Sequence, residues 1–156
     1  MRAQLRGCNS GDQEQEWQLL LERPELLVSG VEEMLRYISP VMYFRRTATR
    51  DVEIGGTTIP EGGRVTLWFI AANRDPLEFA DPHRFDLTRQ PNEHVAFGAG
   101  GPHYCLGANL ARLEIRIMFE ELLRRMPDIE PTGEISRLRS NFISGVKHMP
   151  VRFTPR

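Results

Sequence analysis

Cysteine is scarce in this 156-residue sequence, which has two: Cys8 in a polar terminus and Cys105 far along the chain. Two cysteines so placed form no disulfide framework and are too few for a cysteine zinc site. No apolar run approaches the ~20 residues of a membrane-spanning helix. The opening MRAQLRGCNSGDQEQEW also lacks the apolar core of a signal peptide. Charge of either sign is not in excess: 20 basic and 21 acidic residues are interspersed, for a net charge of -1. A polyelectrolyte partner is therefore not expected, and nucleic acid least of all. Internal repeats and low-complexity segments are missing too. The resulting expectation is one soluble, cytoplasmic domain without a membrane span.

What the chain does contain is helical periodicity in three places. From Asp12 an apolar side made by Trp17, Leu20 and Leu21 recurs until Pro24 interrupts it. PELLVSGVEEMLRYISP then carries Pro24 in a first helical turn and Leu27, Val31, Met34, Leu35 and Ile38 at spacings of three and four, up to Pro40. After Cys105, the residues Leu106, Leu110, Leu113, Ile117, Phe119, Leu122 and Leu123 predict a third and longest helix with an apolar face, ended by Pro127, and large apolar helix surfaces are expected to lack partners. Between Val41 and Leu67, β-branched and aromatic residues alternate with polar ones. Gly55-Gly56 and Pro60-Glu61-Gly62-Gly63 divide that stretch into a small antiparallel meander. Residues 73–97, with Pro76, Pro82 and Pro91, read as a long ordered coil that needs anchoring. Two last strands are expected around Phe142-Ile143 and Val151–Phe153. Residues 1–12 are expected to form a disordered leader. The fold class is mainly α with a small β part.

The chemistry concentrates where the long coil delivers Cys105 to a helix start. Gly98, Gly100 and Gly101 precede it in HVAFGAGGPHYCLGANLARLE, and glycines let a backbone close a tight loop and approach a flat ligand. At a helix N-terminus the unpaired N–H groups favour a thiolate, which is one of the proximal donors haem iron accepts. Three other readings fit the loop alone. A phosphate cradle would need a preceding strand and a G-x-x-x-x-G-K-[ST] or G-x-G-x-x-G pattern, and neither pattern is present. A cysteine nucleophile would have His103 as its base, two residues away, with no third group to orient it. A buried structural cysteine is the plainest of the three.

FGAGGPHYCLG resembles the haem-ligand signature of the cytochrome P-450 family, with one extra residue: Phe97 lies eight positions before Cys105, where the common form has seven. That insertion resembles the actinobacterial members that hydroxylate sterols and methyl-branched lipids. The resemblance implies haem b as cofactor, Cys105 as its iron ligand, and His103, Phe97, Gly98 and Gly107 beside it. Other motifs appear in the family's order. Glu33-x-x-Arg36 resembles the family's buried E-x-x-R, whose third member is an arginine of the later coil; within ADPHRFDLTR this is Arg84 as first choice and Arg89 as second. FRRTATRDVEIGGTTIPEGGRV resembles the strand pair beside the haem, where Arg46 matches the propionate-binding arginine and Arg45 is its possible substitute. NRDPLEFADP is a further stretch of similar kind.

By the same resemblance, residues 13–156 form the proximal part of a P-450 haem domain, an incomplete fold without the distal helices and their acid-alcohol pair. The parent reaction is O2-dependent hydroxylation of an apolar, lipid-like or sterol-like small molecule. Val41, Met42, Phe44 and Ile143 match substrate-lining positions, with Tyr43 and Phe142 beside them. A ferredoxin-type electron donor would dock near Arg112 and Arg116. No catalytic residue is expected within the segment itself, and the isolated chain is expected to be unstable and inactive. The rival expectations are a catalytically dead haem-binding or interaction fragment and a thiol-dependent hydrolase.

Overall fold

The computed structural model describes residues 10–155, with side chains from residue 14 onward. Most of the expected leader, 1–12, lies outside the described residues. Helix α1, Ser10–Glu22, begins two residues before the expected Asp12. It buries Trp17 and Leu20, and the Trp17 indole N–H donates to the Pro127 carbonyl at 2.8 Å. Pro24 then opens a single 3-10 turn, Pro24–Leu26, that leads into α2, Leu27–Ile38. Leu27, Val31, Met34 and Leu35 of α2 are buried as their spacing requires. The helix stops at Ser39, which adopts a left-handed φ of 45° and donates its N–H to the Leu35 carbonyl before Pro40.

The expected meander is instead a nest of two ladders. Strand β1, Tyr43–Thr47, pairs antiparallel with β4, Arg64–Trp68, in the register Arg46 to Val65. Inside that pair, β2, Val52–Ile54, and β3, Thr57–Ile59, form a separate hairpin whose turn is Gly55-Gly56. The outer ladder closes through reciprocal backbone bonds of Ala48 with Gly62 and Gly63. These bonds hold the inner hairpin away from β1 and β4, so four sequential strands do not form one sheet.

A short helix α3, Phe69–Ala72, leads into the long coil. The coil is packed through Phe79, Phe85 and Leu87, which are buried, and it is tied to both helices. The Ser29 hydroxyl donates to the Leu87 carbonyl at 2.7 Å, and the Leu87 N–H donates to the Glu16 carboxylate at 3.2 Å. Helix α4, Ala108–Arg125, closes the core with Phe119 and, less completely, Ile115, Leu122 and Leu123. Part of its expected apolar face is without a partner among the described residues. Leu106, just before it, and Leu110, Leu113 and Ile117 within it are exposed, because α4 is apolar on two sides and the described core covers one.

The tail makes two minimal ladders. Strand β5, Glu130–Pro131, pairs with β8, Val151–Arg152; β6, Ser136–Arg137, pairs with β7, Val146–His148. The strand expected around Phe142-Ile143 is reduced to one bridge between Ile143 and Val41. That bridge sets the tail against the entry to β1.

Candidate functional site

Two adjacent glutamates on α2 organise everything around Cys105. Glu33 and Arg36 have fully buried side chains and pair bidentately, with Arg36 Nε and Nη2 donating to Glu33 at 2.7 and 2.8 Å. A buried ion pair is tolerable only when its remaining valences are satisfied. Here Arg36 also donates to the carbonyls of Asn73, Pro82 and Arg84, at 2.7, 2.9 and 3.1 Å. Glu33 accepts further from the Asp86 backbone N–H at 2.9 Å and the Asn92 amide at 3.1 Å.

The third member of this cluster is Arg89, whose Nε donates to Glu33 at 3.1 Å, and not Arg84, the first choice from sequence. Arg84 gives only its main-chain carbonyl, and its side chain is exposed. The reason is local alternation: Phe85 and Leu87 face the core, so their neighbours Arg84 and Asp86 are less buried.

Glu32 serves a second cluster that sequence reasoning missed. His94, 2% exposed at its side chain, places Nε2 at 2.9 Å from Glu32. Its Nδ1 accepts the Ala96 N–H at 3.2 Å, so Nε2 carries the proton and donates. Arg112 of α4 grips the same carboxylate through Nε and Nη2, at 2.7 and 2.9 Å. Burial alone would raise the Glu32 carboxyl; the hydrogen bonds from His94 and Arg112 outweigh it and bring the pKa down to about 2. The same Glu32 bonds raise the Arg112 guanidinium above its ordinary value. Arg112, expected at a docking surface, is thus engaged internally. Neither His94, three residues before Phe97, nor Glu32, beside Glu33, carried a periodic signal of its own.

The Cys105 loop departs from the coil at Phe97. Gly98, Gly100 and Gly101 have φ of 91°, 89° and 78°, a region closed to ordinary side chains. These turns bring the chain back so that the Cys105 N–H donates to the Phe97 carbonyl at 3.0 Å. Cys105 is a free, exposed thiol two residues before Gly107, the N-cap of α4. A Cβ on Gly107 would lie 3.9 Å from the Cys105 sulfur.

Cys105 opens into a cleft of about 540 Å³ between the loop and the β1–β4 ladder. The loop side supplies Phe97, Gly98, His103 and Cys105, and the ladder side supplies Val41, Phe44, Arg46, Leu67 and Phe69. Of the residues singled out by sequence, Cys105, His103, Arg46, Phe97, Gly98, Val41 and Phe44 therefore meet in one place. Arg45, the possible substitute for Arg46, does not line it. Gly107, Met42 and Ile143 do not line it either: Gly107 sits behind the sulfur, Met42 bonds through its backbone to Phe142 and Ile70, and Ile143 is held against Val41. Among the described residues, no helix is long and apolar enough to cross a membrane.

A model of the cytochrome P-450 family matches residues 9–135. The chain belongs to the cytochrome P-450 family. It is 54% identical over 129 residues to a methyl-branched lipid omega-hydroxylase of Mycobacterium tuberculosis (strain H37Rv), covering 83% of this chain and 30% of that protein. A steroid C26-monooxygenase of Mycolicibacterium smegmatis is 45% identical over 140 residues, 89% of this chain and 32% of the relative. A solved Bacillus megaterium structure in complex with testosterone superposes with a TM-score of 0.88 at 39% identity, covering 97% of this chain and 42% of that one. The chain thus spans about a third of the curated P-450 relatives it matches. Its helices and small paired strands are part of a P-450 fold, and P-450 members are monooxygenases whose cofactor is a haem iron.

Proposed function

We propose that this chain holds haem b in the cleft at Cys105 and forms the proximal half of a monooxygenase site for an apolar substrate. One observation carries the reading: Cys105 and His103 of one loop and Arg46, distant in sequence, converge on a single cleft whose other walls are mostly apolar. The residues fit the group chemically. An exposed sulfur at a helix start would suit haem iron as a thiolate donor, and a guanidinium with an imidazole would suit the carboxylates on the edge of haem b. When bound, thiolate-ligated haem supplies O–O bond cleavage and oxygen insertion into an unactivated C–H bond.

The chain's own residues have simpler tasks. Cys105 would hold the iron through its sulfur, with Gly107 leaving space beside that sulfur. Arg46 and His103 bind and orient the anionic edge. Phe97 and Phe44 exclude water from the walls, and Val41 joins them on the ladder side. Met42 and Ile143 act one layer behind by fixing Val41 and the start of β1. The substrate class we propose is lipid-like or sterol-like, in keeping with an apolar pocket and with the relatives' names. An electron donor of ferredoxin type would meet Arg116, whose side chain is half exposed and pairs only loosely with Glu120 at 3.6 Å. A cytoplasmic setting, where an exposed thiol stays reduced, suits this reading.

A second reading is favoured by the exposed apolar side of α4. For the 156-residue chain by itself we propose haem binding without monooxygenase turnover, because an open cleft and Leu106, Leu110 and Ile117 in solvent describe a half-site. The test is reconstitution of the purified chain with haem, followed by reduction and exposure to carbon monoxide. The expected result is the strongly red-shifted carbonyl band of thiolate ligation, lost in Cys105→Ser. A wild-type spectrum without that band overturns the proposal.

A further inference from the structure

Three glycines at positive φ make the stretch between Phe97 and Cys105 a segment with little conformational preference of its own. Its only backbone tie across the base is the Cys105 N–H to the Phe97 carbonyl among the bonds described for this loop. Something outside must therefore fix it. The Arg112 guanidinium lies 4.7 Å from the centre of the Phe97 ring, and its Nη1 reaches the Tyr104 hydroxyl at 3.4 Å. One planar group thus touches the loop where it leaves the coil and again beside the cysteine. Arg112 is itself fixed by two hydrogen bonds to Glu32, and Glu32 also takes the bond from His94, whose ring lies 6.2 Å from Phe97.

We infer that Glu32 and Arg112 are positioning residues for the Cys105 loop, clamping Phe97 and Tyr104 so that the sulfur is presented to the cleft at a fixed depth. The inference deepens the haem reading above and rests on it for its spectroscopic consequence. Glu32 sets the place of the guanidinium, Arg112 lies over the Phe97 ring, and the His94 ring packs beside it. A flat, forked cation is required here, because an ammonium cannot grip a carboxylate bidentately and cover a ring at once. On α2, successive glutamates then divide the work: Glu33 fastens the coil, and Glu32 fastens the loop.

The experiment compares wild type with Glu32→Gln, Arg112→Ala and Arg112→Lys, using Leu20→Ala as a control that loosens the core on α1. Two quantities are read. One is hydrogen exchange of the Cys105 amide in the haem-free chain, which is expected to be about tenfold faster in all three clamp variants and unchanged relative to neighbouring amides in the control. The other is the share of the red-shifted carbonyl band after reconstitution, expected to fall several-fold in favour of a shorter-wavelength band in the clamp variants alone. Unchanged Cys105 exchange in Glu32→Gln and Arg112→Ala overturns the inference, and so does full restoration by Arg112→Lys. A wild-type chain lacking the red-shifted band sinks the haem reading, while the amide exchange still decides whether the clamp places the loop.

Discussion

The Glu33 side chain is fully buried among donors, so removing its charge leaves the Arg36 and Arg89 guanidinium groups without this anion. Glu33→Gln is expected to cost about 3–5 kcal/mol of unfolding free energy, the range for breaking a buried pair. Arg84→Ala should stay within about 0.5 kcal/mol, since only its carbonyl takes part. Urea unfolding of the two variants checks both figures, and an equal loss from each would contradict the assignment of Arg89. Glu32 gives a pH signature. Its folded pKa, about 2, lies below the ordinary 4.5, so its contribution is complete above the ordinary value and disappears as pH falls from there toward 2. The stability gap between wild type and Glu32→Gln, followed from pH 6 to pH 2, is expected to shrink through that window and not elsewhere. The pairing of Glu33 with Arg36 was readable from sequence, because an i, i+3 spacing puts both on one helix face. The choice between Arg84 and Arg89 was not, because it depends on which way Phe85 and Leu87 turn.

At the level of elements, the three long helices followed directly from apolar spacing and proline stops. Strand partnership did not. Three- and five-residue strands show that a chain is extended, yet nothing in their side chains says that Tyr43–Thr47 skips its neighbours to meet Arg64–Trp68. The two-residue strands of the tail span a single period of alternation, so β5 and β6 carried no signal, while β8 falls within the strand expected around Val151–Phe153. Helix α2 offers a test of how closely the coil is packed on it. A Cβ on Gly30 would stand 2.8 Å from Leu87 Cδ2, so the Leu87 side chain, 1% exposed within the core, would have to shift. Alanine gains about 1 kcal/mol in helix propensity, but overpacking costs about 1–3 kcal/mol. Gly30→Ala is therefore expected to lower Tm, and a raised Tm would show that the coil yields.

Across the whole molecule, the site was more legible than the surface. Cys105, His103 and Arg46 were identifiable because a motif preserves spacing even where contacts are invisible. The exposed apolar side of α4 agrees with the expectation of helix surfaces without partners, but which of its apolar residues the core covers was not readable, because periodicity cannot say which side a neighbour covers. Leu110, Ile117 and Met118 form an exposed apolar strip, which favours self-association. Leu110→Glu with Ile117→Glu is expected to reduce the weight-average mass in sedimentation at unchanged Tm, and an unchanged mass would place the contact elsewhere. Arg36 has a different kind of consequence. It holds the coil by the carbonyls of Asn73, Pro82 and Arg84, groups that every amino acid supplies. The route of the coil is thus set partly by the helix, through groups independent of sequence, and partly by the coil's own Phe79, Phe85, Leu87, Arg89 and Asn92. An exposed position such as Arg84 can therefore change over generations, or be randomised in a library, while the path that carries Cys105 to its place is inherited intact.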